Sequence, residues 1–239
     1  MSALSESVSR VMEKLASPEH EARLAAAEQQ ERLDAQADIK AFEVKQAANI
    51  LWAERGTRYK ACTLENFEAA TEAQKLVLDA IQVYRASLTE NVKRGRNIVL
   101  TGPPGTGKDH LLAGLMHTAI ASGHVLKWTN GVRLWVQFRG AIESDADEGI
   151  LLREYSRQPD VLVLSDPLPA VGGLTPYQAA TLYAIIDERY NNRRAMWVSL
   201  NAKSRQEANE RIGGAIIDRL LQDALSLLCD WESFRKPQR

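Results

Sequence analysis

The sequence predicts an α/β fold, a five-stranded parallel sheet flanked by helices and preceded by an N-terminal helical segment. Three observations lead there. Short apolar runs, such as Ile98-Val99-Leu100 and Val161-Leu162-Val163-Leu164, have the composition of strands buried on both faces. Stretches with helical spacing separate these runs, so neighbouring strands run parallel with crossovers between them. The first run opens directly into a glycine-rich turn ending in Gly107-Lys108, and an apolar helix follows from Leu111.

From the N-terminus to about Gly56 the chain reads as helix. Val8, Val11, Met12 and Leu15 are spaced for one apolar face. Ser17-Pro18-Glu19 has the form of an N-cap, a first-turn proline and a first-turn acid. The segment that follows is rich in Ala, Glu, Gln and Arg. Its apolar residues are sparse until Ile39, Phe42, Ala47, Ile50, Leu51 and Trp52. Such a helix has little core of its own. Two readings stay open: a solvated helix held by its C-terminal end, or a docking arm for a partner protein through the Val8–Leu15 or the Ile39–Trp52 stripe. The chain is accordingly divided into residues 1–56, a helical partner-binding segment, and residues 57–239, the α/β domain.

Thr63 to Phe67 reads as a turn into a helix over Glu72–Arg85, with Leu76, Leu78, Ile81 and Tyr84 on its buried side. Asn91 to Arg96 reads as a solvated basic turn. The phosphate loop comes next. Gly102, Pro103, Pro104, Gly105, Thr106, Gly107 and Lys108 fit the Gly-x-x-x-x-Gly-Lys pattern in its required place between strand and helix. The glycines let successive N–H groups point into one concavity that holds phosphate oxygens. The helix starting near Lys108 adds its positive dipole end, and Lys108 adds a point charge for the outer phosphates. The residue after the lysine is ordinarily Ser or Thr, whose hydroxyl binds Mg²⁺. Here it is Asp109.

A second strand is expected at Val125–Thr129, then an amphipathic helix over Val132–Ile142 and an acidic surface loop over Glu143–Glu148. Val161–Leu164 is the central strand. Ser165 and Asp166 sit at its C-terminal end, where open α/β sheets place ligands. Thr175–Arg189 reads as a helix and Met196–Leu200 as a fourth strand ending at Asn201. Arg205–Ala224 reads as a helix interrupted at Gly213-Gly214, and Leu225–Cys229 as a short fifth strand. Trp135, Phe138 and Tyr177 have the surfaces to stack bases, but core packing suits each better. Arg189, Arg193 and Arg194 form a basic cluster, either a solvated helix end or a DNA contact.

The chain has 239 residues, 45% hydrophobic and 26% charged, with a net charge of −1. Bulk charge therefore argues neither for nor against a nucleic acid partner. Cys62 and Cys229 are the only cysteines. They are too few for a disulfide framework or a zinc site and fit a reducing cytoplasm. No apolar run is long enough to span a membrane, and the first residues lack the pattern of a secretory signal.

A run of short signatures now resembles a known family. They are Gly-Lys-Asp-His-Leu from Gly107, the apolar strand ending in an acid, IIDERYNNRR from Ile185, the strand ending in Asn201, IIDRLL from Ile216, and WESFRK from Trp231. In this order they resemble the AAA+ ATPases of the DnaC type, the bacterial and phage replicative helicase loaders, a group close to the IstB transposition ATPases. The similarity runs from about Thr63 to the C-terminus, and the N-terminal helices match in position and character. The resemblance implies an AAA+ core around the five-stranded sheet, ATP with Mg²⁺, and self-association into a spiral or ring. It also implies a partner, a DnaB-type hexameric replicative helicase, delivered to single-stranded DNA. By the same resemblance His110 follows the loop as in loaders. Asn201 matches the sensor that positions the attacking water or feels the γ-phosphate. Arg219 matches the arginine finger that reaches a neighbouring subunit's nucleotide, and Arg235 a second sensor acting in cis.

Two positions depart from the family pattern. Ser165 stands where the Mg²⁺-binding aspartate belongs, and Asp166 where an acid polarises the attacking water. Asp is one methylene shorter than the usual Glu, and Pro167 restricts its backbone. The expected enzyme is thus at most a weak ATPase. Two alternatives accompany the loader: a partner-binding adaptor with a degenerate nucleotide site, and an IstB-like transposition ATPase. A hydroxyl and a carboxylate are both still present, but exchanged. The expectation is a swapped Mg²⁺ pair, with Asp109 as the charged ligand and Ser165 as the neutral one. Asp109 lies near the phosphates, so ATP binding is expected to depend steeply on Mg²⁺. Otherwise Asp109 only stabilises the helix N-terminus.

Overall fold

Helix α1 runs over Pro18–Arg55 and stops at Gly56, whose φ of 90° is left-handed. The computed structural model describes residues 18–169 and 171–235, so the Val8–Leu15 stripe and Ser17 lie outside the described residues. The chain forms two compact units, Met1–Glu43 and Val44–Arg239, which divide within this helix. In the first unit Leu24, Leu33, Ile39 and Phe42 are all more than half exposed. In the second unit the helix ends inside the core. Val44 and Leu51 are buried, Trp52 stacks on His117 with ring centroids 4.4 Å apart, and Glu54 pairs with Arg133 at 2.9 Å.

A short helix, α2 (Thr57–Lys60), leads to α3 (Glu72–Ala86). Thr71 and Gln74 close a capping box at the start of α3. The helix turns Gln74, Val77, Ile81 and Tyr84 inward and leaves Leu76 63% exposed, against the expected buried side. The expected basic turn is partly α4 (Leu88–Lys93), because Asn91 is buried and its amide donates to the Tyr84 carbonyl.

The sheet is built from β1 (Ile98–Thr101), β2 (Leu126–Asn130), β3 (Val161–Ser165), β4 (Ala195–Leu200) and β5 (Leu225–Leu228). All pairings are parallel, in the order β2-β3-β4-β1-β5. The strand leading to Asn201 thus lies between the phosphate-loop strand and the strand leading to Asp166. Alternation along each strand feeds two cores. Ile98, Leu100, Val163 and Trp197 pack with α3 and with α5 (Lys108–Ala121). Val99, Leu162, Leu164 and Val198 pack on the opposite face. That face is covered by α6 (Gly131–Glu143), α7 (Glu148–Ser156), α8 (Pro176–Asn191), α9 (Arg205–Ile212) and α10 (Gly214–Leu221).

Helix α7 was not expected. The acids before it look like loop, but Asp147 caps it, accepting from the Gly149 N–H at 2.7 Å. Trp135 and Phe138 are core residues, whereas Tyr177 is 39% exposed and donates to Glu148 at 2.8 Å. Arg189 is neither a solvated helix end nor a DNA contact. It is fully buried, and its guanidinium donates to the carbonyls of Tyr155, Ser156, Pro159, Asp160 and Ala195.

Candidate nucleotide-binding site

The C-terminal ends of β1, β3 and β4 converge on a cavity of about 350 Å³. Its polar wall includes Pro104, Gly105, Gly107, Lys108, Asp109, His110, Asp166, Asn201 and Arg235, and its apolar wall includes Tyr59, Phe67 and Phe234. Gly102 is required by close approach, since a Cβ there would lie 2.2 Å from the Cys229 carbonyl. Gly107 has φ of 85°, and a Cβ would meet the Phe67 ring at 2.7 Å. The C-terminal segment straps the loop: Trp231 Nε1 donates to the Thr106 carbonyl at 3.0 Å, and the Phe234 N–H to the Gly105 carbonyl at 2.9 Å.

Lys108 is buried and donates from Nζ to the carbonyls of Gly102 and Pro103, each at 2.7 Å. Burial pulls its pKa below the usual lysine value, while Cys229, Asp109 and Asp166 nearby pull it back up. His110 packs edge-on against Phe67, and its Nε2 lies 2.9 Å from the Thr63 carbonyl. Asp166 sits at φ 41°, and its carboxylate accepts from both the backbone N–H and the side-chain amide of Asn201. Burial raises its pKa despite those hydrogen bonds and the Lys108 charge. Arg211 braces the pair from behind, donating to the carbonyls of Asn201 at 2.9 Å and Pro169 at 2.6 Å.

Asp109 is engaged on both carboxylate oxygens. Its Oδ1 accepts from the hydroxyls of Ser165 at 3.1 Å and Ser199 at 2.7 Å. Trp128 Nε1 donates to Ser165 Oγ at 3.0 Å, which leaves the Ser165 proton for Asp109. Its Oδ2 is 2.8 Å from Arg55 Nη2. A carboxylate and a hydroxyl therefore stand side by side next to the phosphate loop. In place and donor chemistry, Asp109 and Ser165 suit Mg²⁺. The carboxylate is not uncompensated, however, and the expected steep repulsion of metal-free ATP loses its basis. Neither Arg55 nor Ser199 was expected at the site. The one hint of Ser199 is a polar residue inside an otherwise apolar strand.

Arg219 does not line the cavity. Its Nε donates to Asp187 Oδ1 at 2.7 Å, and its guanidinium lies 4.7 Å from the centre of the Tyr183 ring.

Sheet order and phosphate loop define an AAA+-type nucleotide-binding core. The chain belongs to the family of IstB-like ATP-binding proteins, whose model matches residues 6–239. It is similar to the replicative helicase loader DnaC of Buchnera aphidicola subsp. Schizaphis graminum, 27% identical over 183 residues, covering 74% of this chain and 71% of that protein. It is also similar to an ATP-binding protein in an insertion sequence of Mycobacterium tuberculosis, 27% identical over 149 residues, covering 61% of this chain and 58% of that protein. The crystal structure of the DnaC helicase loader superposes with a TM-score of 0.63 at 20% identity, covering 72% of this chain and 99% of that one, a likeness of fold.

Proposed function

We propose that this chain is an ATP-dependent helicase loader that binds a hexameric DnaB-type replicative helicase and delivers it to single-stranded DNA in the cytoplasm. The observation that carries the reading is a phosphate loop that lines a cavity at the C-terminal ends of a parallel sheet, and Ile39 and Phe42 of α1 are exposed besides. The similarity to helicase loaders supports it. In this reading residues 1–56 carry the helicase contact and residues 57–239 form the ATPase domain, into whose core Leu51 and Arg55 at the end of α1 also pack. Among the described residues, no helix is long and apolar enough to cross a membrane.

In this reading the loop from Gly102 to Lys108 would hold the phosphates, and Tyr59, Phe67 and Phe234 line the same cavity. Asp109 and Ser165 would hold Mg²⁺, which would supply charge neutralisation at the outer phosphates. Asp166, oriented by Asn201, accepts the proton of the attacking water. Arg235 contacts phosphate in cis. Arg219 serves a neighbour's nucleotide in a spiral or ring, as a finger lying outside its own cavity can. Turnover is slow, because Asp166 is short and held at a strained φ.

The test is transfer of a purified replicative helicase onto closed circular single-stranded DNA, read by unwinding of an annealed strand. Loading that requires this chain and ATP supports the proposal. Transfer no better than with helicase alone, together with ATP-dependent capture of a transposase, would instead favour the second reading, an IstB-like transposition ATPase. The insertion-sequence relative is the observation that motivates that reading.

A further inference from the structure

The last residue of α1 reaches the phosphate-loop carboxylate, and the contact is built rather than incidental. The Arg55 side chain is only 6% exposed. Its guanidinium lies 3.5 Å from the centre of the Tyr59 ring and 4.6 Å from that of Trp128. Its Nη2 meets Asp109 Oδ2 at 2.8 Å, while its Nε is buried with no hydrogen-bond partner. A guanidinium taken out of water needs strong compensation, and here a single carboxylate oxygen and two aromatic faces supply it. The groups facing Asp109 are Arg55 from α1, Ser165 from β3 and Ser199 from β4, with Lys108 adjacent in the chain and Asp166 within electrostatic reach.

We propose that Arg55 and a divalent metal are alternative cations for the Asp109 carboxylate, so that Arg55 sets how much nucleotide binding depends on metal. The inference rests on the nucleotide-binding reading of the site. With Arg55 in place, Asp109 does not repel the phosphates of a metal-free nucleotide. When metal is supplied with the nucleotide, Arg55 yields Oδ2 and retains its two aromatic faces. Without Arg55, the bare carboxylate repels the phosphates until metal arrives. The end of α1 does not depend on this ion pair alone, since the Trp52–His117 stack and the Glu54–Arg133 pair also hold it. Substitution of Arg55 therefore leaves a folded chain.

The experiment uses the full-length chain and a fluorescent ATP analogue, titrated in excess EDTA and in excess Mg²⁺. Native chain should bind within about threefold in the two buffers, whereas Arg55→Gln should lose about tenfold or more in EDTA and little in Mg²⁺. Arg55→Lys, which restores charge without the stacked plane, should fall between them. A second readout needs no nucleotide. Mn²⁺ titrated against the chain alone, with free ion followed by electron paramagnetic resonance, should bind Arg55→Gln more tightly than the native chain, and Asp109→Asn should abolish the difference. Equal metal dependence in the native and Arg55→Gln chains, with equal Mn²⁺ affinity, would overturn the role of Arg55 alone. Absence of nucleotide binding by the native chain in both buffers would overturn the nucleotide reading and this inference with it.

Discussion

Asn201 grips Asp166 at two points: its backbone N–H donates to Oδ1 at 3.2 Å, and its side-chain amide donates to Oδ2. Even so, burial holds the Asp166 carboxyl above the usual aspartate value. The folded chain then holds this proton more tightly than the unfolded chain does. The stability this contributes is complete below the ordinary aspartate pKa, about 3.9, and is lost as pH rises through the raised value. At neutral pH the ionised Asp166 is kept at a cost. Asp166→Asn removes the charge, and Asn201 can match it by turning its amide over. The variant should bind ATP, lose about 10² or more in turnover, and melt above the native chain at pH 7. That gain should vanish near pH 3. Phosphate release and thermal melts at the two pH values check both parts. A gain of equal size at both would show that the Asp166 charge is not its source.

The exposed stripe of α1 calls for a test in the intact chain. Deleting residues 1–56 would remove Leu51 and Arg55, which belong to the core and the site. Ile39 and Phe42 are 60% and 62% exposed, so Ile39→Asp with Phe42→Asp should leave the melting temperature unchanged. Capture of a replicative helicase should fall by at least about tenfold, as for apolar anchors of an interface. Undiminished capture would remove this stripe from the helicase contact.

Much of this architecture was legible because its signals are local. Apolar runs name the buried strands whatever their order, and the phosphate loop is a backbone device whose glycines are fixed by φ and close approach. The charges were not legible. Arg189 and Arg219 look alike in the sequence, yet one is a buried staple and the other a surface ion pair, and most of their partners, though not Ala195, lie about 30 residues away. Arg55 is separated from Asp109 in the sequence by α2, α3, α4 and β1, and no periodicity links them. Ser199 is one polar residue in an apolar strand, and only the parallel register that sets it beside Ser165 gives it meaning. Leu76 failed for a different reason: Val77, Ile81 and Tyr84 already make a stripe at i, i+4 and i+7, and Leu76 falls outside it.

Arg189 gives the strongest stability prediction. It ties the end of α7 and the start of β3 to β4 through five carbonyls, the shortest contact being Ala195 at 2.7 Å. Burial lowers its pKa to about 9. Arg189→Met keeps the volume and orphans the acceptors, and should cost about 3–5 kcal/mol in urea unfolding. Arg189→Lys should recover part of this, since one ammonium cannot reach carbonyls spread around a planar fork. A loss below about 1 kcal/mol for Arg189→Met would mean that water replaces the guanidinium.

Arg219 separates an assembly role from a surface one. Within its own chain it bonds Asp187 at 2.7 Å and lies over Tyr183, away from the phosphate loop. Its side chain is 28% exposed and that of Asp187 32%, so the pair adds at most about 1 kcal/mol to stability. Arg219→Ala should therefore melt close to the native chain and bind ATP with nearly native affinity. A guanidinium that reaches a neighbour's γ-phosphate neutralises charge on the transferring oxygens, and its loss costs about 10³–10⁵ in rate. The rate per chain should rise with protein concentration in the native protein and stay flat in the variant. Mixing supplies the sharper measurement. Arg219→Ala has an intact pocket and Lys108→Ala an intact finger, so equimolar mixtures should recover turnover that neither has alone. If the mixture stays inactive while the native protein turns over, Arg219 does not act across subunits.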